Sequence, residues 1–201
     1  MTFEDHYNLH AGKTAVIFGK GPSLDNWLKS GAVLPTNNIT ISVNTTTLVY
    51  NCDYCVTRHN WGHDFKAPGK WFVPLVDGWE LNDIPYKKVN WKATPEYALW
   101  YIPIFHDYKT PMPTREFIRD YRLIPTPSGS CINAILIAYY MGVDNILFIG
   151  IDGGSEYSDA ANAISKIGIG ANYDSLKNTS DGYANILFKD KYRHWTPDLT
   201  F

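Results

Sequence analysis

The sequence predicts an α/β fold with a mostly parallel central sheet flanked by helices, and two stretches carry that expectation. From Thr126 to Ser155 the chain reads TPSGSCINAILIAYYMGVDNILFIGIDGGS. Ser128 is a good helix N-cap, and Cys131 to Tyr140 is almost wholly apolar, so this helix should be buried over most of its surface. Gly142 ends it, and Asn145 to Gly150 follows as a β-branched run suited to a strand covered on both faces. The second stretch, Thr14 to Leu28, gives a buried strand, a glycine turn and a helix. With 201 residues, one Rossmann-like domain over 1–201 is the natural reading.

Taken in order, residues 1 to 12 form an arm or a short docked helix. The strand Thr14 to Phe18 runs into Gly19-Lys20-Gly21-Pro22-Ser23-Leu24, where Gly19 and Gly21 let the backbone turn and approach a ligand. Pro22 suits the turn or first helical turn, and Ser23 or Asp25 can cap the helix. This has the shape of a phosphate loop but matches neither GxGxxG nor GxxxxGK[ST]. Ile39 to Val43 is the second strand, with Asn44 at its carboxyl end as a ligand contact or an N-cap of the next turn. Asp53 to Thr57 is the third, ending at Arg58 and His59. Trp71 to Val76 and Ile102 to Phe105 are further strands, the latter followed by His106-Asp107, and Thr114 to Tyr121 is a short helix capped by Thr114.

Asp152 then stands just past the carboxyl end of a strand, the edge where open α/β sheets take ligands. The helix start Ser128-Gly129-Ser130 offers free N–H groups and a positive dipole end for an anion. Residues 153 to 185 are rich in small and polar residues and read as a flexible flap over that ligand. The last element, Ile186 to Trp195, carries Lys189, Lys191, Arg193 and His194, a basic cluster that could neutralise phosphate.

Composition narrows the function. The balance of 18 basic and 20 acidic residues gives no global basic field and argues against a nonspecific nucleic-acid binder. Of the 7 Trp, 14 Tyr and 9 Phe, 14 cluster between Tyr50 and Tyr108, as a core under loops or as stacking surfaces. No apolar run reaches the ~18 residues of a membrane span, and the amino end has no hydrophobic signal core, so a cytoplasmic protein is expected, in the host cytoplasm if viral. Three cysteines, with Cys131 in a buried helix, point to reduced thiols. Cys52, Cys55, His59 and His63 show C-x2-C-x3-H-x3-H spacing, but without the loop of about a dozen residues between pairs that structural zinc sites use, so no metal is assigned.

The segments AVIFGKGPSLDNW, ISVNTTTL and TPSGSCINAILIAYYMGVDNILFIGIDGG together resemble the bacterial sialyltransferase family. They are also similar to a related group of Rossmann-like proteins, with phage and bacterial members, akin to 6-hydroxymethylpterin diphosphokinase. The resemblance does not extend over 61–125. It implies a nucleotide-sugar donor held by Gly19, Gly21, Pro22 and Ser23, by Asn44, by Ser128 and Gly129, and by Asp152. Where that family has Asn between the two glycines this chain has Lys20, which binds phosphate as a point charge. Where it has a tyrosine two residues after the GID aspartate this chain has Gly154, with Tyr157 the nearest substitute. The family's catalytic histidine lies beyond the flap, which leaves His194 as the corresponding base.

The expected function is therefore a glycosyltransferase that moves a sugar from a nucleotide donor to a carbohydrate or other hydroxyl acceptor, with no cofactor required. The alternatives are a magnesium-dependent diphosphokinase-like enzyme in which Asp152 helps hold the metal, and a non-catalytic nucleotide-binding module of the kind a virus could carry.

Overall fold

The structure is a computed structural model and describes residues 1–57, 70–74, 98–104, 111–125, 129–164 and 174–199. Its strands are β1 (Thr14–Phe18), β2 (Asn38–Val43), β3 (Tyr54–Val56), β4 (Lys70–Pro74), β5 (Ala98–Ile104), β6 (Leu123–Pro125), β7 (Asn145–Ile149) and β8 (Tyr192–His194). They form one eight-stranded sheet in the order β6-β5-β4-β3-β2-β1-β7-β8, with every neighbouring pair parallel. This is the expected Rossmann-like α/β arrangement.

Both faces of the inner strands are buried, and the period-2 alternation of a strand divides them between two cores. Ala15 and Ile17 of β1, with Ile146 and Phe148 of β7, join the larger core. Val16, Phe18, Leu147 and Ile149 join the smaller one, under Leu24 and Trp27 of helix α1 (Ser23–Ser30). The larger core is closed by α3 (Ser130–Tyr140), every residue of which except Tyr139 is buried. Fully burying each of its Ile or Leu side chains is worth about 1.5–3 kcal/mol, which outweighs the lower helix propensity of its β-branched residues. α3 packs against β1, β2, β3 and β6.

The amino-terminal arm is a docked element. Phe3 is buried and stacks on Tyr140 at 4.7 Å, His6 is buried, and Arg122 clasps Glu4 through Nε at 2.6 Å and a terminal nitrogen at 2.8 Å. Arg122 follows α2 (Arg115–Tyr121), whose first turn is capped by Thr114 accepting from the N–H of Phe117, as expected.

The stretch expected to be a flap is largely two helices. α4 (Asp159–Ile164) is capped by Ser158 Oγ, which accepts from Ala161 N–H, and by Asp25 of α1, which accepts from Asp159 and Ala160. α5 (Asp174–Phe188) packs on α3 and buries Ser180, Tyr183, Ala184 and Phe188. Their spacing of three to four positions is a helical core stripe that the glycine and asparagine content of the segment obscures. Residues 165–173 lie outside the described ones. Cys52, Cys55 and Cys131 are buried, unbridged thiols. His59 and His63 of the zinc-like spacing, and His106-Asp107, fall outside the described residues. Among the described residues no helix is long and apolar enough to cross a membrane.

Candidate functional site

Strands β1 to β6 are added outward in one direction, after which the chain returns to place β7 on the other side of β1. The sense of connection reverses between β1 and β7, and such a switch point opens a crevice beyond the carboxyl ends of the strands. A pocket of about 220 Å³ lies there. The loop after β1 contributes Gly19, Lys20 and Gly21, the end of β2 contributes Val43 and Asn44, and the start of α3 contributes Gly129, Ser130 and Cys131. Gly150 to Gly153 after β7, then Glu156, Tyr157 and Lys177 of α5, complete it.

The two glycine loops are bonded to each other. Gly19 N–H donates to Ile149 O and Gly21 N–H to Gly150 O, both at 2.8 Å, while Gly150 N–H donates to Ser23 Oγ at 2.8 Å. A Cβ on Gly19 would lie 2.3 Å from Gly150 O, and one on Gly150 would lie 2.5 Å from Gly19 O. A Cβ on Gly21 would meet the Asp152 carboxylate at 2.5 Å. These glycines therefore serve close approach of backbone to backbone, whereas the sequence suggested approach of backbone to ligand.

Asp152 Oδ2 accepts from Ser23 N–H at 2.7 Å, so it caps α1 from across the sheet. The expected caps are displaced: Pro22 occupies the N-cap position with no side-chain bond, and Asp25 serves α4 instead. The start of α1 thus already faces a carboxylate, and the expected phosphate position at Lys20-Gly21 loses that helix dipole.

Asn44 has φ 54°, in the left-handed region that Asn tolerates better than most residues. Its Oδ1 accepts from Ser130 Oγ at 2.9 Å, and Val43 rather than Asn44 occupies the N-cap position of the following 3-10 turn (Asn44–Leu48). The strained residue thereby ties the end of β2 to the first residue of α3. Gly129, at φ 86°, occupies the N-cap position of α3 with no side-chain cap bond, and Ser128 lies outside the described residues.

Lys20 is the site's distinctive cation. Burial pushes its ammonium pKa down, and among the described residues no carboxylate is paired with it. Its Nζ sits 5.7 Å from the centroid of the Tyr157 ring, and its carbonyl accepts from Ser158 N–H at 2.7 Å. Cys131 also lines the pocket, but burial pushes its thiol up to about 12, which leaves no thiolate for nucleophilic chemistry near neutral pH.

Eight of the expected residues therefore line one pocket: Gly19, Lys20, Gly21, Asn44, Gly129, Ser130, Asp152 and Tyr157. Pro22 and Ser23 sit behind it and hold the loop. His194 does not line it: its Nε2 is 2.7 Å from Oδ1 of Asp181, whose Oδ2 is bonded to the pocket-lining Lys177. Lys191 and Arg193 do not line it either. They face a second hollow beside Thr14 and Asn145, at the amino ends of β1 and β7. Sequence reading missed Glu156 and Lys177; the spacing Lys177 to Asp181, one helical turn, was the available signal for Lys177. For a magnesium-bound phosphate the fitting groups are Asp152 and Glu156, which share this lining, since magnesium takes one or two carboxylates beside the phosphate oxygens.

No protein-family model matches the chain, and comparisons with curated proteins and with solved structures likewise find no match.

Proposed function

We propose that this cleft binds a nucleotide and that the protein is a glycosyltransferase-like chain whose donor is a nucleotide-activated sugar. Lys20 carries the reading: a desolvated ammonium without a carboxylate partner among the described residues, in a switch-point cleft that also contains the start of α3. A phosphate there gains a charge-assisted bond from Lys20 and the N–H groups of the first turn of α3. The ring of Tyr157 offers a face for a base or sugar, and Asn44 offers an amide to a ribose or base. The carboxylates of Asp152 and Glu156 accept from hydroxyls, as a sugar-bearing ligand requires.

Binding without transfer is the second reading, and the placement of His194 favours it. Its Nε2 faces Asp181 and its ring is not part of the cleft lining, so no base is supplied to the cleft from this position. Glu156 is then the exposed carboxylate of the cleft lining that could serve as a base.

Calorimetric titration with nucleoside phosphates and nucleotide sugars, in magnesium and in chelator, tests the proposal. Binding that Lys20→Met weakens by about tenfold or more supports it, since a charge-assisted bond is worth about 1.5–3 kcal/mol. Failure of every nucleotide to bind the folded protein overturns it. Release or transfer of sugar from a bound donor, lost in Glu156→Gln, separates a transferase from a binding module.

A further inference from the structure

A chain of three side chains runs from β8 through α5 into the cleft. Lys177 lines the cleft, and its stem lies over Gly153, where an added Cβ would come 3.3 Å from Lys177 Cδ. Its Nζ is 2.7 Å from Asp181 Oδ2, one helical turn on, and Asp181 Oδ1 is 2.7 Å from His194 Nε2. The three side chains are 31%, 22% and 26% exposed. An isolated lysine–aspartate pair at this spacing holds a lysine only weakly. Here Asp181 is gripped from its other side by a ring that packs on Phe148 with centroids 5.0 Å apart. Lys177 is therefore held in position before any ligand arrives.

Lys20 and Lys177 enter the cleft from different elements, the loop after β1 and the helix α5, and each has its own support: the Tyr157 ring for one and the Asp181–His194 pair for the other. Two cations fixed independently suit phosphate groups spaced along a chain, whereas a single phosphate would require both flexible stems to converge on it. We infer that Lys177 is the second phosphate-contacting cation of the cleft, that its ligand is a nucleotide carrying two linked phosphates, and that His194 acts through Asp181 as the positioning residue for Lys177. This rests on the nucleotide reading above. It also gives His194 a role that needs no free ring nitrogen in the cleft.

Calorimetric titration compares the four common nucleoside monophosphates with their diphosphates, and inorganic phosphate with pyrophosphate, on wild type, Lys20→Met, Lys177→Met, His194→Leu and His194→Gln. Wild type should prefer diphosphates by about tenfold or more, the scale of one charge-assisted contact. Lys177→Met should erase that preference while leaving monophosphate affinity within about threefold, and Lys177→Gln gives the same comparison should the first variant fold poorly. Lys20→Met should weaken both classes. His194→Leu should lose much of the preference, and His194→Gln, whose amide N–H can replace that of the ring, should keep it at an unchanged melting temperature. Monophosphates and diphosphates that bind wild type equally, both weakened by Lys20→Met, overturn this inference and leave the nucleotide reading standing. A preference that survives Lys177→Met overturns it as well, and a glutamine as poor as leucine at 194 overturns the positioning role. If no nucleotide binds at all, both readings fall.

Discussion

Replacing Asp152 separates its part in the fold from any part in binding. Its Oδ2 accepts from the N–H of Ser23 at 2.7 Å across 129 positions of sequence, and the N-cap residue Pro22 makes no side-chain cap bond. Asp152→Ala removes a cap worth about 0.5–2 kcal/mol and a charge at the positive end of the helix worth about 0.3–1 kcal/mol. The sum is about 1–3 kcal/mol, and for a chain of 201 residues each kcal/mol moves the melting point by about 2–4 °C. Asp152→Ala should therefore melt about 2–12 °C below wild type without ligand. Asp152→Asn keeps an oxygen to accept from Ser23 and loses only the charge, so its drop should stay within about 4 °C. Circular dichroism melts read both, and a urea series with unchanged m-value shows that the same folded state is being compared. An alanine variant that melts with wild type refutes the cap. Once the stability cost is known, nucleotide titration of the folded Asp152→Asn protein isolates binding: a loss only in magnesium assigns a metal contact, and an equal loss in chelator assigns a hydroxyl contact.

Tyr183→Ala should cost about 3–5 kcal/mol in urea unfolding if α5 is a core helix, because the ring is fully buried against α3; a flap residue would lose almost nothing. Acid stability should track His10, whose pKa burial lowers from 6.5 to about 4 while Nε2 bonds Tyr54 Oη at 2.7 Å. Above about 6.5 the ring is neutral whether the chain is folded or not; between about 6.5 and 4 only the unfolded chain takes up the proton, so stability falls as the pH drops through that window. The loss should be about 1–2 kcal/mol after allowance for partial exposure, and His10→Gln should flatten that part of the curve in melts taken at intervals of pH.

Legibility followed the burial of each strand. β1, β2 and β7 are covered on both faces, so their apolar runs and the glycine turns after two of them announced a parallel sheet and placed Lys20, Asn44 and Asp152 at one edge. β6 is three residues long, Leu123–Pro125, and ends in a proline, so no periodicity could reveal it. α5 failed for a different reason. Its stripe of Ser180, Tyr183, Ala184 and Phe188 is interrupted by Gly182 and flanked by Asn and Asp, and composition outweighed spacing. Losing α5 hid Lys177, and taking His194 as free to act in the cleft overlooked the carboxylate one strand and one helix away. Partners of side chains, unlike the direction of a sheet edge, depend on which elements meet in space.

The glycines of the two loops show how one signature supports two physical accounts. A strand followed by G-x-G invites the idea that a phosphate needs the room. Yet Gly19 N–H and Gly21 N–H are spent on Ile149 O and Gly150 O, and Ser23 N–H is spent on Asp152, so these three donors hold the neighbouring loop rather than a ligand. Glycine is required because each loop occupies the space where the other's side chains would stand, at 2.3 to 2.5 Å. The clasp fixes β1 and β7 at the switch point and aims the Lys20 side chain into the cleft while its carbonyl is held by Ser158 N–H. Under the nucleotide reading, an anion would be left to side chains, to the N–H of Lys20 and to the start of α3, where Gly129 occupies the N-cap position and supplies no capping group of its own.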